Sequence, residues 1–194
     1  MIFELQHVPM ADGYGEALLP LAECKAWLSI GEGETEFDDL IAVLRDAAIE
    51  FVERYCEVKL LETAGQVWTG EAFPGAGARL SLGLRPVVSI AGVTWLDGSG
   101  AEVTGTIGDF RLLPGGEVVA AIGGSWPSDV GGGVSITFTA GYAEGEAPKA
   151  LLTAAKRFMA YLYMHREAVI VGAVASEAPL GVTALCAPYR RVRI

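Results

Sequence analysis

Apolar positions between residues 35 and 57 recur with a helical period. Phe37, Leu40, Ile41, Leu44, Ala48, Phe51, Val52 and Tyr55 repeat at i, i+3, i+4, i+7 and so share one side of a helix. Asp38, Arg45, Asp46, Glu50, Glu53, Arg54 and Glu57 fall on the other side. Thr35 stands where an N-cap belongs, with Asp38 three residues later in the capping-box place. Glu36, Asp38 and Asp39 put negative charge at the positive end of the helix dipole. A shorter helix is predicted over residues 20–28, where Leu21, Cys24, Trp27 and Leu28 share a face. Glycines at 31 and 33 break that pattern, so the first 60 residues predict a helical hairpin. Helical period returns after Pro148. Leu151, Leu152, Ala155, Phe158, Met159, Leu162 and Tyr163 form its apolar face, and the pattern ends near Glu167.

The period differs in between. Short runs rich in branched and aromatic residues occupy 66–69, 79–82, 87–95, 110–113, 117–121 and 134–139. Asp97-Gly98-Ser99-Gly100 and Pro114-Gly115-Gly116 fit hairpin tips. Val134 to Thr139 alternates apolar and polar, which leaves one strand face wet. The expected fold is α+β. A helical core, hairpin plus C-terminal helix, covers residues 18–60 and 147–170. A small antiparallel β-sheet or barrel of about six strands is inserted at 61–146. Residues 1–17 are expected to form a loose N-terminal arm, and 171–194 an extended C-terminal tail.

Composition narrows the class. With 52% apolar and 20% charged residues the chain is expected to fold rather than stay disordered. Its apolar runs are too short to span a bilayer, so no membrane role is expected, and the N-terminus lacks the regions of a signal peptide. Cys24, Cys56 and Cys186 are odd in number, far apart and without a CxxC pair. That predicts free thiols in a reducing compartment, with neither a disulfide framework nor a zinc site.

Charge adds a polarity. The net charge is −10, but residues 1–60 carry 13 acids against 4 bases, and residues 147–194 carry 2 acids against 7 bases. An acidic front and a basic back are suited to attract each other within one chain or between copies. The basic residues concentrate at Tyr189-Arg190-Arg191-Val192-Arg193. An acidic protein surface is the better partner for that end than nucleic acid, which the rest of the surface repels; a free solvated end is the other reading.

Candidate chemistry is sparse. The two histidines, His7 and His165, lie in the arm and late in a helix, and no HExxH, GxSxG, P-loop or GxGxxG pattern occurs. Asp38 and Asp39 are adjacent and point to different helix faces, which does not make an acid/base pair. Gly131-Gly132-Gly133 lacks the lysine and helix start of a phosphate cradle. No catalytic, cofactor-binding or metal-ligating residue is expected, and the chain is not expected to be an enzyme.

Several short motifs follow one another along the chain in a definite order. The motifs are Leu21, Glu23, Lys25 and Leu28, then Asp38-Asp39-Leu40-Ile41 and Glu53-Arg54-Tyr55-Cys56. Arg85-Pro86-Val87-Val88-Ser89-Ile90, Val93 to Asp97 and Gly124-Ser125-Trp126-Pro127 continue the pattern. His165-Arg166-Glu167, Pro179-Leu180-Gly181-Val182 and Ala187-Pro188-Tyr189-Arg190 complete it. In this order and spacing the motifs resemble the head–tail connector (adaptor) proteins of tailed phages and of phage-like gene transfer particles, a resemblance that spans residues 18–194. It implies a structural protein without cofactor, found in the neck of a particle and synthesised in the bacterial cytoplasm. It further implies a ring of about a dozen copies below the portal protein, from a chain that can be a monomer in solution, joined to a neck or tail-terminator protein, with DNA passing through without sequence-specific contact. By the same resemblance the C-terminal segment docks on the portal, which points to Pro179, Leu180, Tyr189, Arg190, Arg191 and Arg193. Asp46, Glu50 and Glu53, with Glu57, are then expected to form an acidic stripe that meets the basic back of a neighbouring copy or faces the channel. The alternative is a non-catalytic binding module, with Trp68, Trp95 and Trp126 lining an exposed groove in the β segment.

Overall fold

The computed structural model describes residues 3–6, 8–165 and 179–190. The chain divides into two compact units. One consists of Met1–Pro9 and Glu62–Tyr142, the other of Met10–Leu61 and Ala143–Ile194.

The first unit is antiparallel β. Its larger sheet has the order β1-β2-β8-β4-β5, built from β1 (Phe3–Leu5), β2 (Thr63–Gly70), β4 (Val87–Leu96), β5 (Glu102–Thr104) and β8 (Gly132–Ala140). A second sheet, of order β3-β7-β6, holds β3 (Leu80–Ser81), β6 (Phe110–Leu112) and β7 (Glu117–Ala120). β8 is the central strand of this sheet, and its alternation is visible in its burial. Val134, Ile136, Phe138 and Ala140 are all fully buried, and the intervening residues are half-buried. Both expected hairpin tips form. The Asp97 carboxylate accepts from the Ser99 and Ala101 amides at 2.8 and 2.9 Å, which closes the turn between β4 and β5. Leu113 N–H donates to Glu117 O at 2.8 Å across the other tip. The described residues hold eight strands in two sheets, where about six in one sheet or barrel were expected. The additions, β1 and β5, are edge strands of three residues, too short to show a period.

The second unit is helical. Its elements are α1 (Tyr14–Leu18), α2 (Leu21–Trp27), α3 (Asp38–Cys56), α4 (Lys149–Met164) and α5 (Leu180–Cys186), the last followed by a 3-10 turn (Ala187–Tyr189). α3 buries Ile41, Ala48, Ile49, Val52 and Cys56, and α4 buries Leu151, Ala154, Ala155 and Met159. Phe51 and Phe158 bring the two helices together with ring centroids 4.3 Å apart.

Three expectations change here. The 1–17 arm is not loose in its described residues. Phe3–Leu5 pairs with Trp68–Gly70 in the β unit, and Tyr14 is buried at the start of α1 in the helical one. Thr35 does not cap α3: Phe37 is the N-cap, with no side-chain cap bond, and the Asp38 carboxylate goes instead to Lys25 at 2.8 Å. The tail is not extended over residues 180–189. It is helical there because Val182 and Cys186 reach the core and are essentially fully buried.

Candidate interaction surface

The polar side of α3 divides into residues that face solvent and residues that face inward. Asp39, Glu50 and Arg54 are exposed, and Asp46 is half-buried. Glu53 is only 4% exposed, so it does not belong to an outer acidic stripe. The Tyr14 hydroxyl and the Leu60 amide both donate to Glu53 Oε1, the latter at 2.8 Å, and Lys59 Nζ lies 2.8 Å from Oε2. The Leu61 amide in turn donates to Tyr14 Oη at 3.0 Å. Glu53 therefore fixes the chain from the end of α3 to Leu61. Glu57, in the left-handed conformation at φ 55°, caps the helix with its N–H on Glu53 O.

Arg45 departs from the helical-wheel reading in the same way. It is 6% exposed and bonds Asp46 Oδ1 through Nε at 2.8 Å and Glu16 through Nη1. Burial works against its charge, but the hydrogen bonds and charges of Asp46 and Glu16 outweigh it and raise the guanidinium further above its ordinary range. Asp46, Glu50 and Asp12 line a cleft of about 320 Å³ with Met10, Gly13 and Ala47. Of the expected stripe, then, Asp46 and Glu50 share a surface and Glu53 lies beneath it.

The loop between α2 and α3 carries the densest negative charge. Residues 31–36 are all exposed and include Glu32, Glu34 and Glu36. Lys25, 4% exposed, holds this loop from below. Its Nζ donates to Glu32 O at 3.0 Å, to Glu34 O at 2.7 Å and to Asp38 Oδ1 at 2.8 Å. The paired residues of the α2 motif thus have structural work: Lys25 ties α2 to the start of α3, and Glu23 pairs with Lys156 of α4.

The C-terminal basic surface is partly described. Pro179 is half-buried and precedes α5, which begins at Leu180. Tyr189 closes the 3-10 turn, and the exposed Arg190 lays its guanidinium over the Tyr55 ring, 5.1 Å from the centroid. Arg157 of α4 is exposed and runs beside the backbone of Gly181, where a Cβ would meet its Nη1 at 2.8 Å. Arg191 and Arg193 lie outside the described residues.

The tryptophan groove does not form. Trp68, Trp95 and Trp126 are 0%, 9% and 6% exposed, because their rings fill the β core. Trp126 stacks on Phe73 at 5.3 Å, and Trp95 meets the same ring edge-on at 5.6 Å. Their indole N–H groups are used internally, on Ala78 O and Asp129 O, each at 3.1 Å. Trp95 and Trp126 also line a cavity of about 330 Å³, but both remain buried.

Among the described residues no group of three or more His, Cys, Asp or Glu side chains is placed to hold a metal ion. The three cysteines are free and buried, and burial pushes the Cys24 thiol up to about 11. No helix of the described chain is long and apolar enough to cross a membrane. Sequence reasoning missed the bonding of Tyr14, Glu16 and Lys59 to buried partners and the role of Lys25. Only Lys25 had a signal, its place in the α2 motif; the partners of the others lie at distances along the chain that leave no pattern.

No protein-family model matches the chain, and no curated protein does. Solved structures do match over nearly the whole length. A chain in the neck of an empty gene transfer agent (GTA) particle computed with C6 symmetry is 26% identical. The match covers 98% of this chain and 97% of that one at a TM-score of 0.74. A chain in the virion of a native GTA particle is 28% identical over 98% and 96% at 0.73. A chain in the neck of a native GTA particle computed with C12 symmetry is 25% identical over 98% and 97% at 0.70. These neighbours are components of particles, and the fold they share with this chain includes both of its units.

Proposed function

We propose that this chain is a structural neck component of a tailed phage, prophage or phage-like particle, acting as the head–tail connector. The observation that carries this reading is the near-complete match, across both units, to chains in GTA necks. In the proposed role, copies form a ring below the portal protein, extend the DNA channel and present a surface to the next neck or tail component. The symmetries of the matched particles suit a ring of identical copies. A net charge of −10 suits a conduit, because basic walls would bind phosphates and retard passage. The C-terminal segment from Pro179 onward is the part proposed to dock on the portal. Arg190 is held outward there, on Tyr55, where an acidic partner can reach it.

The test is to add the purified chain to filled, tail-less heads of the source particle and image them by electron microscopy. A coaxial ring of density at the portal vertex is expected. Heads that remain bare under conditions that support tail joining would refute the assignment.

A further inference from the structure

Two exposed surfaces of the helical unit carry opposite charge that no ion pair compensates among the described residues. The first is the α2–α3 loop. Glu32, Glu34 and Glu36 lie within five residues, with Asp39 just beyond, and all four are exposed. Among the described residues no cation pairs with any of the four. The loop is not free to spread these charges. Buried Lys25 holds the carbonyls of Glu32 and Glu34, and the Glu34 carboxylate accepts from the Gly31 amide at 3.0 Å. Like charges are therefore kept together at a cost that an approaching cation relieves.

The second surface follows α5. Arg157 lies beside its first turn at Gly181, and Arg190 stands just past its end on the Tyr55 ring. Both are exposed, and neither has a carboxylate in ion-pair range among the described residues. Stacking on Tyr55 limits the conformations of Arg190, so less entropy is lost when it meets a partner. The aromatic series continues across the helices through Phe51 and Phe158 to Tyr161, all half-buried. The ledge is thus basic and aromatic, a composition suited to protein contact.

We propose that the ledge of Arg157 and Arg190 receives the Glu32–Glu36 loop of a second copy of this chain. Among the described residues no ion pair joins the two surfaces within one chain; the proposed contact between copies is therefore head-to-tail, and repetition of such a contact closes a ring when the rotation allows. The proposal rests on the connector reading, to which it adds the residues of the copy-to-copy contact. It assigns the carboxylates of the loop to the intersubunit contact and leaves the acidic cleft at Asp46 and Glu50 out of it.

The experiment is a charge swap followed by sedimentation velocity over a concentration series of the full-length chain. One variant carries Glu32→Lys and Glu36→Lys; the other carries Arg157→Glu and Arg190→Glu. None of these side chains takes part in the buried networks, and circular dichroism checks the fold of each. Should either variant misfold, the neutral versions with Gln at the same positions replace it. The wild type is expected to self-associate, and raised salt to weaken it. Each variant alone is expected to associate at least about tenfold more weakly, as removal of several facing charges implies. An equimolar mixture of the two variants should recover association, because a basic loop then meets an acidic ledge and the reverse. Unaltered association of the variants, a mixture no stronger than its parts, or a wild type that stays monomeric at the highest concentration would overturn the contact. Ring formation on tail-less heads is scored separately, so a failed contact with a surviving ring leaves the connector reading standing.

Discussion

Replacing Glu53 by alanine should destabilise the helical unit, whereas the same change at Glu50, one turn away, should not. Glu53 is 4% exposed and bonded to the Tyr14 hydroxyl, the Leu60 amide and Lys59, whose side chain is itself only 15% exposed. Removing one partner of a buried ion pair costs about 3–5 kcal/mol, and each buried donor left without an acceptor about 1–3 kcal/mol. These costs belong to one network and do not add. Lys59 can also turn partly toward water. We therefore expect a loss of about 3 kcal/mol, near the lower end for a broken buried pair. With a urea slope of about 2 kcal/mol/M, the unfolding midpoint should fall by about 1.5 M at unchanged slope. Glu50 is exposed and makes no ion pair among the described residues, so Glu50→Ala should stay within about 0.5 kcal/mol of the parent. Urea titration followed by helical circular dichroism measures both. Tyr14→Phe in a double-mutant cycle with Glu53→Gln should show coupling above about 0.5 kcal/mol. If Glu53→Ala and Glu50→Ala gave the same midpoint, the buried network would not hold the fold together and Glu53 would return to the surface.

Further outcomes follow from single sites. Lys25→Met should lower stability by about 2–4 kcal/mol, since it leaves two loop carbonyls and Asp38 without their cation; urea midpoints check this. Gly70→Ala places a Cβ 2.5 Å from the Trp68 ring, and overpacking should cost about 1–3 kcal/mol, with a change in tryptophan emission as the readout. Burial raises the Cys24 thiol from 9.0 to about 11, so the native chain binds a proton there that the unfolded chain releases. The stability this gives is complete below pH 9 and declines as pH rises from 9 toward about 11, and Cys24→Ala should flatten that part of the pH profile. Native protein should react with a thiol reagent at pH 8 only as fast as it opens.

The sequence by itself determined the elements whose side chains report their surroundings with a period. Ile41, Ala48 and Val52 of α3, Leu151, Ala155 and Met159 of α4 and the alternation of β8 are legible because burial on one side imposes a 3.6- or 2-residue spacing, although Ile49 and Ala154 are buried outside the faces the spacing predicts. Asp97-Gly98 and Pro114-Gly115 were legible for a different reason, the backbone geometry their turns demand. Elements held by a few long-range contacts left no such trace. β1 is three residues paired with a strand more than 60 positions away, and α5 is ordered by Val182 and Cys186 entering a core assembled from distant helices. The surface was the least legible. Helical spacing put Arg45, Glu50 and Glu53 together on a polar side, but tertiary structure buried Arg45 under Glu16 and Asp46, buried Glu53 under Tyr14 and Lys59, and left Glu50 in solvent. A charge is placed by the partners that compensate it, and those partners come from residues far away in the chain.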